Sequence, residues 1–176
     1  MSKNIVVRSI MKVYISIMRG TPLMLQLLVV YFGPFFIAGA NISGFRFYAV
    51  IIGFSLNYAA YFAEIYRSGI ESMPVGQYEA ATVLGYSKSQ TFIRIILPQV
   101  IKRILPAVTN EIITLVKDTS LAFAIAYQEM FTIAKQITAS NGNFTALFVA
   151  GLFYYIFNFI VAFVMERFEK KLSYYR

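Results

Sequence analysis

Two stretches of this chain, Pro22 to Ala40 and Phe144 to Met165, contain no charged side chain at all. An α-helix needs about 20 mostly apolar residues to cross a hydrocarbon core about 30 Å thick, so both are candidate membrane spans. With 59% hydrophobic and 17% aromatic residues in 176, the rest is also too apolar for a soluble domain. The expected fold is all-α and polytopic. Neither Cys nor His occurs, which excludes disulfides, a thiolate nucleophile, an imidazole base and metal sites built on these residues. The formal charge of +8 does not indicate nucleic acid, because the basic residues stand singly at the ends of apolar segments and form no patch. Met1 to Met18 lacks the continuous apolar core and small-residue cleavage site of a signal peptide.

Residues 1–21 form the first segment. Lys3, Arg8, Lys12 and Arg19 alternate there with Ile5, Val6, Val7, Ile10, Val13, Ile15 and Ile17, the pattern of an amphipathic interfacial helix. Thr21 is a good N-cap and Pro22 suits a first helical position, so they are expected to start the first span, with Gly20 permitting the bend. Gly33-Pro34 should bend or shorten that span. A second span runs from Phe45 to Tyr66. Asn57 within it either lines a pathway or bonds a neighbouring helix, and Glu64 with Arg67 reads as a helix-end ion pair.

A polar island, Gln77 to Pro98, follows. Glu79, Ala80, Ala81 and Leu84 suit a short helix, Gly85 a left-handed stop, and Ser87-Lys88-Ser89-Gln90 a solvated restart. A third span is expected over Ile104 to Ala126. It is too polar to face lipid all round, because a charge at mid-membrane costs roughly 2.5 to 3.5 kcal/mol. Glu111, Lys117 and Asp118 should therefore face protein, one another or a water-filled cavity. Tyr127 to Asn143 reads as a short outer helix and loop, Phe144 to Met165 as the last span, and residues 171–176 as a tail. The many aromatics of that last span, such as Tyr154, Tyr155, Phe157 and Phe159, suit lipid and helix packing. All basic residues except Arg46, Lys135 and the intramembrane Lys117 then fall on one side, which puts both termini and the polar island in the cytoplasm with four crossings.

Glu79-Ala80-Ala81, then Gly85 after three intervening residues, and Ile95-x-Leu97-Pro98 after nine more resemble the EAA loop of ABC-importer permease subunits. Arg19-Gly20-Thr21-Pro22-Leu23, Ala60-Tyr61-Phe62-Ala63-Glu64-Ile65-Tyr66-Arg67, Thr109-Asn110-Glu111 and Lys117-Asp118-Thr119-Ser120-Leu121 resemble its polar amino acid branch. The likeness covers nearly the whole chain, with residues 22–170 as the transmembrane domain and 77–98 as the EAA loop. Members of this branch usually have five spans, and the first is missing here; a start at an internal methionine is favoured over a subunit with a reduced set.

The resemblance implies a cytoplasmic coupling helix that docks on an ATP-binding subunit. Ala80 and Ala81 would permit close approach, Glu79 would accept charge-assisted hydrogen bonds, and Gly85 would make the turn that aims the helix. With no Walker A sequence the chain itself cannot cradle ATP phosphates, so it is not expected to be an enzyme, and ATP and Mg belong to a partner. The expected partners are an ATP-binding subunit dimer, a second permease subunit, an extracytoplasmic substrate-binding protein and membrane lipid, in a bacterial plasma (inner) membrane. A free amino acid carries both charges, so groups of both signs are needed along its path. Asn57, Asn110, Glu111, Lys117, Asp118 and Ser120 are the candidates, Asp118 for a cationic group and Lys117, Ser120 or a helix N-terminus for a carboxylate. Lys117 and Asp118 read equally well as a structural pair. The function expected is a permease subunit of an ATP-driven importer for a polar amino acid or close analogue. A channel or interaction protein without ATP coupling is the alternative.

Overall fold

The computed structural model describes residues 4–171, and all regular structure among them is helical. In chain order these are α1 (Ile5–Gly20), α2 (Leu23–Ala38), α3 (Arg46–Glu71), α4 (Val75–Val83), α5 (Lys88–Gln90), a π-helical turn (Thr91–Ile96), α6 (Leu97–Asp118), a 3-10 segment (Thr119–Ile125), α7 (Met130–Asn141) and α8 (Thr145–Lys171). The expected cytoplasmic tail falls almost wholly outside the described residues.

Two helices are long and apolar enough to cross a membrane, α3 with 26 residues and α8 with 27, and a third span arises if the bent pair α1 and α2 is one crossing. Length and composition thus single out two or three of the four expected crossings among the described residues. At 1.5 Å per residue the 16 residues of α2 span about 24 Å, less than the hydrocarbon core. Pro34 lies inside α2, and four residues later the helix ends at Ala38, followed by Gly39, whose φ of 61° makes a left-handed cap. The expected span over Ile104 to Ala126 is instead the end of α6 followed by the 3-10 segment, which stops at Ala126 with φ 53°. Its polar residues keep it out of the apolar class.

The elbow before α2 differs from expectation. Thr21 is the C-terminal cap of α1, its hydroxyl donating to the Ile17 carbonyl at 2.8 Å, and the N-cap of α2 is Pro22. A residue before proline is driven to extended backbone, so Thr21 and Pro22 together make the 111° bend. Gly20 remains helical, and a Cβ there would meet nothing within 4 Å. Glycine is not what permits the bend.

Contacts group the described chain into two units, one within Met1–Tyr61 and Thr114–Asn158, the other within Phe62–Ile113 and Phe159–Arg176. In the first, α2 packs on the 3-10 segment and Leu27, Ala122 and Ile125 are buried. A Cβ on Gly53 would stand 2.6 Å from Leu27 Cδ2, so a larger residue there requires the buried Leu27 side chain to shift. In the second, Met73, Ile96 and Val100 form a small core against which Tyr78, Ile95 and Ile104 pack. α8 keeps its aromatic face outward, with Phe148, Tyr155 and Phe159 all exposed.

Candidate functional site

The polar island folds as its residues direct. α4 ends in a Schellman motif: Tyr86 N–H donates to the Ala81 carbonyl and Gly85 N–H to that of Thr82, both at 3.0 Å, with Gly85 at φ 80°. Only a residue without a Cβ takes this conformation freely. Ser87 then starts the next helix through a capping box, its Oγ accepting from Gln90 N–H while Gln90 Oε1 accepts from Ser87 N–H. The expected helix, break and helix are all present.

Beyond the restart the sequence reading missed the π turn. Pro98 has no N–H for the Arg94 carbonyl, and in an α-helix its ring would clash with that carbonyl. The turn ahead of it is widened, and Leu97 N–H reaches back five residues to Phe92. Pro98 therefore does not end the loop; helical structure runs on from Lys88 to Asp118.

Glu79, Ala80 and Gly85 are exposed, while Ala81 is buried. The small size of Ala81 thus serves the chain's own packing, in which α4 lies on the π turn. Val75, Val83 and Leu84 are exposed at 69%, 88% and 72%, which leaves an apolar tip beside the Glu79 carboxylate. Two side chains from α6 hold the elbow under this tip. Gln99 Nε2 donates to Gln77 Oε1 at 3.3 Å, and Arg103 donates to the Ser72 carbonyl at 2.7 Å and to its Oγ at 3.2 Å. Neither contact was legible from spacing. The expected pair of Glu64 and Arg67 is present and extends to Glu71, so one guanidinium joins two carboxylates along the end of α3.

In the first unit, Asn57 is 4% exposed and ties three helices. Its Nδ2 donates to Gln26 Oε1 at 2.9 Å and to the Met18 carbonyl at 3.2 Å, and Gln26 Nε2 donates to Met18 and to Thr21. These bonds use the amide for packing. Tyr58, its neighbour, donates its hydroxyl to Asp118 Oδ2 at 2.8 Å. Lys117 is exposed, and among the described residues no ion pair joins it to Asp118. Successive helical positions diverge by about 100°, which separates the two side chains. The hydroxyls of Thr119 and Ser120 donate to the carbonyls of Val116 and Lys117 where α6 tightens into the 3-10 segment. Asn110, exposed, and Glu111, half-buried, belong to the second unit. Glu129 was not foreseen. Its carboxylate caps α7 through Phe131 and Thr132 N–H and accepts from the Tyr154 hydroxyl at 3.3 Å.

Residues 1–174 match the family described as binding-protein-dependent transport system inner membrane component. The arginine transport system permease protein ArtQ of Bacillus subtilis is 40% identical over 91% of this chain and 73% of its own length. The L-cystine transport system permease protein TcyB of the same organism is 38% identical over 99% of this chain and 74% of its own. Among solved structures, a crystal structure of an amino acid ABC transporter with histidines superposes with a TM-score of 0.85 at 31% identity, covering 97% of this chain and 78% of that one.

Proposed function

The chain belongs to the family of binding-protein-dependent transport system inner membrane components, and on that premise we propose that it is the permease subunit of an ATP-driven importer for a polar amino acid or close analogue. Two such subunits, identical or related, enclose the pathway, because one chain of this size cannot. Two ATP-binding subunits lie on the cytoplasmic side and supply the ATP and Mg, and an external binding protein delivers substrate. The chain crosses the membrane four times, with both termini and the loop of residues 77–98 in the cytoplasm.

The observation that carries the coupling role is the tip of α4. Glu79, Val83 and Leu84 are exposed on a short helix whose two ends are fixed, by the Schellman turn at Gly85 and by the Gln99 and Arg103 contacts at its elbow. An apolar tip with one carboxylate suits a groove on a partner, the leucine and valine filling it and Glu79 accepting charge-assisted bonds. Closure of the ATP-binding dimer draws two such tips together and opens the pathway outward, and release after hydrolysis reverses this. Each state needs its own contact with the partner, and this loop provides it. Along the pathway Asp118, held by Tyr58, offers an acceptor for the substrate's ammonium. Lys117 and Ser120 serve its carboxylate.

The test is affinity purification of the tagged chain from its native membrane, comparing wild type with Gly85→Arg. Recovery of an ATP-binding subunit with the wild type alone supports the coupling role. If both recover it equally, the loop does not dock; if neither does while the chain is folded and abundant, a channel or interaction protein without ATP coupling becomes the better reading.

A further inference from the structure

Helix α1 has a stripe of charge that the permease reading leaves unused. Its residues turn about 100° each, so Arg8, Lys12 and Arg19 fall within one narrow sector, flanked by Ser9 and Ser16, and the helix contains no acidic residue. On the opposite side Val6, Ile10, Val13 and Ile17 are exposed at 60%, 61%, 58% and 51%. Between these two faces, Tyr14, Ile15 and Met18 are half-buried, the Tyr14 hydroxyl donating to the Leu56 carbonyl. The Arg19 guanidinium lies over the Tyr61 ring at 5.7 Å.

We propose that α1 is a seat for anionic phospholipid, with Arg8 and Lys12 binding headgroup phosphates. α2 is charge-free and the bend of 111° sets α1 close to perpendicular to it, so when α2 runs through the bilayer α1 lies along its surface. An amphipathic helix at that depth sinks its apolar face about 5–10 Å below the headgroup boundary. Its diameter is about 10–12 Å, so the opposite, basic face comes level with the phosphates. A protein partner would have to cover the exposed valines and isoleucines as well as the charges. A bilayer accommodates both at once, and the absence of any acid on α1 matches a uniformly negative surface.

The full chain in nanodiscs of phosphatidylcholine with a minority of phosphatidylglycerol is released in a native mass spectrometer, and the lipids retained on it are compared. A basic side chain near an anionic surface contributes about 1 kcal/mol, about a fivefold preference. Arg8→Gln/Lys12→Gln is therefore expected to lower the preference for phosphatidylglycerol by about 25-fold, and high salt should lower it in the wild type. Lys135→Gln should leave it unchanged. Equal retention of both lipids by the wild type overturns the proposal, as does a preference that survives both the double substitution and high salt, or one that Lys135→Gln lowers equally. A protein recovered with the wild type but not the variant, without lipid preference, would assign the stripe to that protein instead. Should the double variant not fold, the salt titration of the wild type decides. The proposal rests on membrane insertion and its readout needs no transport, so failure here leaves the permease reading standing, and the reverse.

Discussion

Gly69 offers a test of how the coupling elbow is held, because substitution there should change sign with its neighbour. A Cβ on Gly69 would stand 2.3 Å from Ile104 Cγ2 and 3.3 Å from Val100 Cγ1, the second a member of the small core in this unit and the first packed against it. Ile104 is β-branched and stiff at its first torsion, so its methyl does not swing aside freely. Forcing such a contact costs about 1–3 kcal/mol. Replacing glycine inside a helix by alanine returns up to about 1 kcal/mol, so Gly69→Ala alone should destabilise by about 0–2 kcal/mol. In an Ile104→Ala background the 2.3 Å neighbour is gone and only the tight approach to Val100 remains, so the same substitution should become neutral or stabilising. The coupling between the two sites should reach about 1–3 kcal/mol, or roughly 2–12 °C in melting temperature for a chain of this size. The chain has no Trp and no Cys, so melting is followed by circular dichroism in detergent, with the folded fraction checked by size exclusion after heating. If Gly69→Ala shifts the melting temperature equally in both backgrounds, to within about 0.5 kcal/mol, the close approach does not hold the elbow.

At Gly85, with φ 80°, a left-handed residue other than glycine costs about 1–2 kcal/mol, but asparagine pays less than valine. Uptake in proteoliposomes should therefore fall in the order glycine, asparagine, valine, and equal uptake by all three would contradict the coupling turn. Asn57→Leu strips Gln26 and the Met18 carbonyl of a buried donor and should cost about 1–3 kcal/mol in thermal stability. Adding Gln26→Leu should recover part of this, which a double-mutant melting series would measure. Asp118→Asn should reduce uptake about tenfold or more with little change in melting temperature, whereas Tyr58→Phe, which removes only the hydroxyl that holds the carboxylate, should reduce uptake less. A parallel fall of uptake and stability in both would make the pair structural.

Local chemistry was legible where short-range rules act alone. The Gly85 turn, the Ser87 start, the Glu64 and Arg67 pair and the two long apolar helices each depend on residues within a few positions of one another, and all are present. The reading failed where a residue had two local options. Thr21 can cap the helix after it or the helix before it, and the proline that follows decides for the latter by forcing extended backbone. Ala81, expected to permit close approach to a partner, is also buried within the chain, on a helix that lies against the π turn. That turn itself comes from Pro98, whose missing N–H can break a helix, kink it or widen it.

By itself the sequence determined that the chain lives in a membrane, that two of its segments make long apolar helices, and where the polar loop breaks and restarts. These follow from hydropathy, helix caps and glycine, all set by neighbours along the chain. Only the tertiary structure decided that Asn57 binds Gln26 and Met18, that Asp118 takes the Tyr58 hydroxyl, that Lys117 stands apart from it, and that Arg103 grips Ser72. Each of those bonds joins residues some 30 to 60 positions apart. A polar side chain in an apolar surrounding must find a partner, but which one it finds depends on how the helices pack.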